Sequence, residues 1–140
     1  GMYAVELGEL RMAAVVVVNA LGDIFDPSTG KKIAGLLTAD GTSFGDSCEE
    51  LWKMGRRENL FTGNTTIGAV FTNGKFNKAQ MNKIASMTRN AYARCINPVG
   101  TMADGDSIYA ASAGDVEADL NVAGTLAAYV MERAIVAAIR

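Results

Sequence analysis

The sequence contains no histidine. That single absence removes whole classes of chemistry. A Ser-His-Asp or Cys-His nucleophilic site cannot be assembled from it. Histidine-ligated zinc is excluded, and the two cysteines, Cys48 and Cys95, cannot supply four thiolates. Two cysteines are also too few for a disulfide framework, and they form no C-x-x-C pair. Neither sign of charge dominates. Thirteen Lys and Arg against fifteen Asp and Glu leave a net charge of −2. Such a balance argues against nucleic acid or a membrane as the main partner. The longest apolar run, residues 12–18, falls far short of the roughly 20 residues of a membrane span. No charged segment followed by an apolar stretch opens the chain, so no secretory leader is expected and the expected location is cytoplasmic. Any hydrolytic chemistry must take its base from carboxylates, lysine or a terminal amine. It calls for no cofactor and no metal ion.

What is present suits one domain over residues 1–140. A domain of this length buries about 70% of its unfolded surface, so a proper core can form. Residues 3–7 read as a short strand, and Gly8-Glu9 as a tight connection. Residues 10–19 (LRMAAVVVVN) carry valines without polar interruption, the pattern of a strand buried on both faces. Asp26-Pro27-Ser28-Thr29-Gly30 is turn chemistry. A short strand is expected over residues 33–37, a polar loop over 38–45, and a helix over 48–54 capped by Asp46. A basic, polar loop, residues 53–58, precedes a strand over 65–71. Asn73-Gly74 carries a turn signal. Asn77 caps a helix running to about Cys95, with Met81, Ile84, Met87 or Thr88, Ala91 and Cys95 at near-helical spacing. Asn97-Pro98 ends it. Residues 107–111 (SIYAA) read as a strand and 116–140 as a long, Ala-rich helix. That helix is apolar on most sides and is expected to be buried, with one side left for self-association.

Four features bear on chemistry. The first is Gly63-Asn64-Thr65-Thr66, where a loop opens into a strand. Two β-branched residues suit a strand start. The same residues also suit self-cleavage: the Thr65 hydroxyl attacks the Asn64 carbonyl, the chain shifts from nitrogen to oxygen, and water opens the ester. Thr65 would then carry a free α-amine, with a reference pKa of about 8, beside its own hydroxyl. That arrangement activates a threonine nucleophile. The second is Asp104-Gly105-Asp106. It reads as a polar turn, as a carboxylate pair sharing proton work, or as part of a Mg²⁺ or Ca²⁺ site, although a metal asks for more oxygen ligands. The third is Asn19, at the end of the valine strand. It is either a strand terminator or a donor to a developing oxyanion. The fourth, Gly41-Thr42-Ser43-Phe44-Gly45, matches the G-x-S-x-G elbow, but that motif needs the histidine the chain lacks.

Three stretches acquire a common meaning when taken together: VVNALGDIFDPSTG (residues 17–30), GNTTIGAVFTNGKFNKAQ (63–80) and ARCINPVGTMADGDSIYAASAG (93–114). In this order they resemble the self-processing aminopeptidase family of L-aminopeptidase/D-esterase (DmpA-like) enzymes, β-peptidyl aminopeptidases and nylon-oligomer hydrolases. The resemblance implies an α+β fold, a mixed β-sheet sandwich with outer helices. This chain would hold only about half of that fold, the C-terminal half. It implies self-cleavage between Asn64 and Thr65, with Thr65 as the nucleophile. Asp104 would support the Thr65 hydroxyl, with Asp106 behind it, and Asn19 would lie on the oxyanion side. The active-site lysine of the family would come from an upstream half. The substrate would be a small peptide, amide or ester. Homo-oligomers are expected, and a separate upstream-half chain is a further partner. The competing reading is a catalytically silent remnant, or one half of a split enzyme, serving as an assembly module.

Overall fold

The computed structural model describes residues 1–55 and 63–139. The elements in chain order are β1 (Met2–Leu7), β2 (Leu10–Asn19), β3 (Asp23–Asp26), β4 (Lys31–Ala34), α1 (Ser47–Met54), β5 (Thr65–Gly74), α2 (Lys78–Cys95), β6 (Ile96–Asn97), β7 (Ser107–Val116) and α3 (Leu120–Ile139). Residues 56–58 of the expected basic loop lie outside the described residues, as does Arg140 at the end of the expected helix.

Four strands form the main sheet in the order β1-β2-β5-β7, and β4-β3-β6 form a smaller one. β1, β2 and β5 run antiparallel, while β7 joins β5 in parallel. A parallel neighbour needs a long crossover, and α2 supplies it. β1 and β2 make a tight hairpin over Gly8, whose φ of 61° favours glycine. Asn77 closes α2 with a reciprocal capping box. The Gln80 N–H donates to Asn77 Oδ1 at 2.9 Å, and the Asn77 N–H donates to Gln80 Oε1 at 2.9 Å.

Helices α2 and α3 cover one face of the main sheet only. Met12, Ala14, Val16 and Val70 meet Ile84, Ala91, Ala127, Val130, Met131 and Ala134 in a single buried cluster. The valine strand is therefore half-buried, not buried on both faces. Val16 is 1% exposed, while Val17 is 68% exposed. Val15 and Val17 stand opposite Ala69 and Ile67, and Ala69 and Phe71 stand beside Tyr109 and Ala111. The uncovered side of the sheet is thus apolar across β2, β5 and β7. By length and composition α3 is apolar enough to cross a bilayer, yet its buried residues pack on the sheet and α2. Much of the apolar surface left open belongs to the sheet, and α3 leaves Val122 and Tyr129 open.

Other differences from expectation have simple causes. Asn73-Gly74 does not turn: β5 continues through Gly74, and Asn73 instead ties the β1–β2 hairpin through bonds with Arg11 and Glu9. β7 runs on to Val116, which pairs with Gly74, so α3 begins later, at Leu120. The side chain of Asp119 accepts from the N–H groups of Asn121 and Val122 there. The short strand expected over residues 33–37 is β4, Lys31–Ala34. β3 was not legible at all, because half of its residues are aspartates. Asp23 is nonetheless 2% exposed. It accepts from Lys32 Nζ at 2.6 Å, from the Leu36 N–H at 2.9 Å, and from the Ser47 N–H and Oγ at 3.0 and 2.7 Å. Burial works to raise its pKa, but these donors outweigh burial and the net shift is downward. One buried carboxylate thereby ties β3, β4 and α1 together.

Candidate active site

Thr65 is the first residue of β5 and lies directly opposite Asn19, the last residue of β2. Strand alternation separates Thr65 from its neighbour: Thr65 is half-exposed, while Thr66 is fully buried. Thr66 Oγ1 has no hydrogen-bond partner among the described residues and no access to solvent. Of the two threonines, only Thr65 presents a hydroxyl that a water molecule could follow.

That hydroxyl lies on the bond that self-cleavage would break. Thr65 Oγ1 donates to the Asn64 carbonyl oxygen at 2.6 Å. The Gly105 backbone N–H donates to the same oxygen at 2.9 Å. A backbone donor on a carbonyl oxygen is what stabilises the negative charge that develops when the carbon is attacked. Gly105 has a steric reason to be glycine. A Cβ there would lie 2.8 Å from Thr65 Oγ1. Sequence reasoning passed over Gly105 as a spacer between two aspartates. The signal available was its position: a glycine between two acids at a strand mouth permits close backbone approach.

The other residues converge on the same end of the sheet. Asn64 and Asp104 form an isolated parallel bridge, which lays the acidic loop against the Asn64–Thr65 bond. The Asp104 carboxylate accepts from the Thr101 N–H at 2.9 Å and from its hydroxyl at 2.8 Å. Asp106 Oδ1 accepts from the Thr66 N–H at 2.8 Å. The carboxyl of Asp106 is pushed up from its ordinary range. Burial is the main cause and Asp104 adds to it, against the Thr66 N–H and the Arg89 guanidinium. The side-chain amide of Asn19 donates to the Gly63 carbonyl at 2.8 Å, one peptide upstream of the Asn64 carbonyl. In the uncleaved chain, therefore, the backbone donor on the Asn64 oxygen is Gly105, beside Thr65's own hydroxyl, and Asn19 holds the segment leading in.

Behind the sheet, Tyr92 of α2 is 1% exposed, and its hydroxyl reaches the Thr66 and Ser107 carbonyls at 3.3 Å each. Burial, with a smaller contribution from Asp106, raises its pKa well above the ordinary tyrosine value, so it remains a donor. The G-x-S-x-G stretch lies elsewhere. No strand leads into Ser43, because β4 ends at Ala34, and the residue sits in an exposed loop held by Thr38 and Asp40.

A mixed sheet covered by helices on one face thus presents a threonine at a strand mouth, on a carbonyl that also receives a backbone donor. Residues 2–140 match the model of peptidase family S58, and the chain belongs to that family. It is similar to an uncharacterised aminopeptidase of Mycobacterium leprae, at 33% identity over 108 residues, covering 76% of this chain and 30% of that protein. It is likewise similar to a 6-aminohexanoate-oligomer endohydrolase of Agromyces, at 30% identity over 114 residues, covering 79% of this chain and 32% of the other. Among solved structures, the L-aminopeptidase D-Ala-esterase/amidase of Ochrobactrum anthropi, described as a new variant of the Ntn hydrolase fold, superposes with a TM-score of 0.63 and 17% identity. That superposition covers 98% of this chain and 38% of that one. The chain thus spans about a third of the length of these curated relatives. The α+β fold and the family expected from the three stretches are both found.

Proposed function

We propose that this chain is the nucleophile-bearing part of a self-processing amidohydrolase, cleaved between Asn64 and Thr65. The observation that carries the reading is the doubly bonded Asn64 oxygen, which receives Thr65 Oγ1–H and Gly105 N–H together. In the first step Thr65 Oγ adds to the Asn64 carbonyl carbon and its proton passes to the Asp104–Asp106 pair. The resulting oxyanion stays on the Gly105 N–H. The C–N bond then breaks, the Thr65 nitrogen takes the proton, and an ester links Asn64 to the Thr65 side chain. Water hydrolyses that ester, leaving a carboxylate on Asn64 and a free amine and hydroxyl on Thr65.

Cleavage changes what the remaining groups can do. Once Gly63 and Asn64 withdraw, the Asn19 amide and the Gly105 N–H no longer have those carbonyls to hold. Both can then serve the carbonyl of a small peptide, amide or ester. The new α-amine provides a second base beside the carboxylate pair, on the nucleophile's own residue. Intact-mass measurement of the wild-type chain and of Thr65→Ala tests the processing step. Release of aniline from aminoacyl and β-aminoacyl anilides tests turnover.

A second reading is favoured by a different observation, the open apolar sheet face. On this reading the chain is an assembly module that meets copies of itself or a separate chain carrying the rest of the family fold. A face of that kind is seldom left in water. The readings are compatible for processing, which needs only groups near one bond. They part at turnover, which needs a complete pocket. Release of aniline by the purified protein favours the first reading, and processing without such release favours the second.

A further inference from the structure

Thr66 keeps its hydroxyl buried and unpartnered among the described residues, yet both of its backbone polar groups are held by side chains. The ladder between β5 and β7 starts at Ile67 and Ser107, one residue after Thr66. Where that ladder is missing, Asp106 Oδ1 takes the Thr66 N–H at 2.8 Å and the Tyr92 hydroxyl serves the Thr66 carbonyl at 3.3 Å. The same hydroxyl also serves the Ser107 carbonyl at 3.3 Å, so it spans the mouths of both strands. Room for the phenol is reserved by Gly68. A Cβ there would lie 2.7 Å from the Tyr92 oxygen. Asp106 and Tyr92 also line one cleft of about 310 Å³ with Ser86, Arg89 and Ser107.

We infer that Tyr92 is a positioning residue. With Asp106 it clamps Thr66 from behind the sheet and so fixes the Asn64–Thr65 bond against the Gly105 N–H. The clamp acts one residue from the reacting atoms and touches none of them. Its value follows from the geometry required, because a misplacement of about 1 Å can cost on the order of a hundredfold in rate. This inference rests on the processing reading above.

The test pairs kinetics with a measurement that does not need cleavage. Tyr92→Phe removes one oxygen and keeps the packed ring. Ile84→Val on the same helix trims a side chain that is equally buried and lies outside the clamp. In an intact-mass time course, Tyr92→Phe should slow processing about tenfold or more, while Ile84→Val stays near the wild-type rate. In the uncleavable Thr65→Ala chain, adding Tyr92→Phe should speed hydrogen exchange at the Thr66 amide and leave the Val70 amide unchanged. Processing at the wild-type rate in Tyr92→Phe, or an unaltered Thr66 amide, overturns the clamp. A wild-type chain that never cleaves overturns the processing reading instead, and the exchange experiment still decides whether Tyr92 holds Thr66.

Discussion

Thr65 and Thr66 are adjacent and chemically identical, yet strand alternation gives them opposite environments. Thr65→Ala should leave the Asn64–Thr65 bond whole in a folded chain, because only a hydroxyl and a methyl are lost at a half-exposed strand start. Thr66→Val should still process. An unpaired buried hydroxyl costs about 1–3 kcal/mol, so replacing it with an isosteric methyl should leave the melting temperature equal or higher. Loss of processing in Thr66→Val would mean that its hydroxyl has a task the geometry does not show. The acidic pair is expected to behave as a unit. Asp104→Asn and Asp106→Asn should each slow processing, and the double variant should be little worse than the worse single; fully multiplicative losses would point to separate roles. Asparagine at 106 retains an oxygen for the Thr66 N–H, so the loss there isolates charge. A proton acceptor must be ionised, and the pKa of Asp106 is raised. The acid limb of the processing rate should therefore lie above the ordinary Asp value of 3.8. The sign for stability runs the other way: a raised carboxyl makes the folded chain relatively more stable as pH falls through that range.

The Asp23 knot shows how one buried carboxylate can join three short elements. β3, β4 and α1 meet on a carboxylate that receives bonds from Lys32, Leu36 and Ser47. Removing one partner of such a buried pair leaves an uncompensated charge and costs about 3–5 kcal/mol. Lys32→Met should lower unfolding stability by that order in urea titration, and a change below about 1 kcal/mol would contradict the assignment. Because the pKa of Asp23 is lowered in the fold, its contribution is present above the unfolded pKa. It is lost as pH falls through the folded one. Little of this knot was legible in the sequence, since a strand reading DIFD has no apolar alternation to find. α2 was legible end to end, because the Asn77 cap, the spacing from Met81 to Cys95 and the Asn97-Pro98 stop all act locally. The ends of β5 and β7 were not: the pairing of Gly74 with Val116 is a long-range contact that overrode the Asn-Gly turn signal. At the site, Asn64, Thr65 and the two aspartates stood out by type and spacing. Gly105 and Tyr92 did not, because a backbone N–H and a remote phenol leave no local pattern.

Taken over all the described residues, the main sheet is one-sided. Two helices cover one face of the sheet, and the other carries Val15, Val17, Ile67, Phe71 and Tyr109. Self-association or capture of a complementary chain should run through that face and not through α3. Val17→Lys with Phe71→Glu should shift sedimentation toward monomer, whereas changes at Val122 and Tyr129 on the exposed side of α3 should not. A monomeric wild-type chain at micromolar concentration would contradict this.

The central claim is that the chain cuts itself between Asn64 and Thr65, and intact-mass spectrometry of the purified protein tests it directly. Two pieces, residues 1–64 and 65–140, should appear over time from a single precursor, and the precursor should persist in Thr65→Ala. A wild-type chain that stays whole, or a Thr65→Ala chain that cleaves at the same bond, would contradict it.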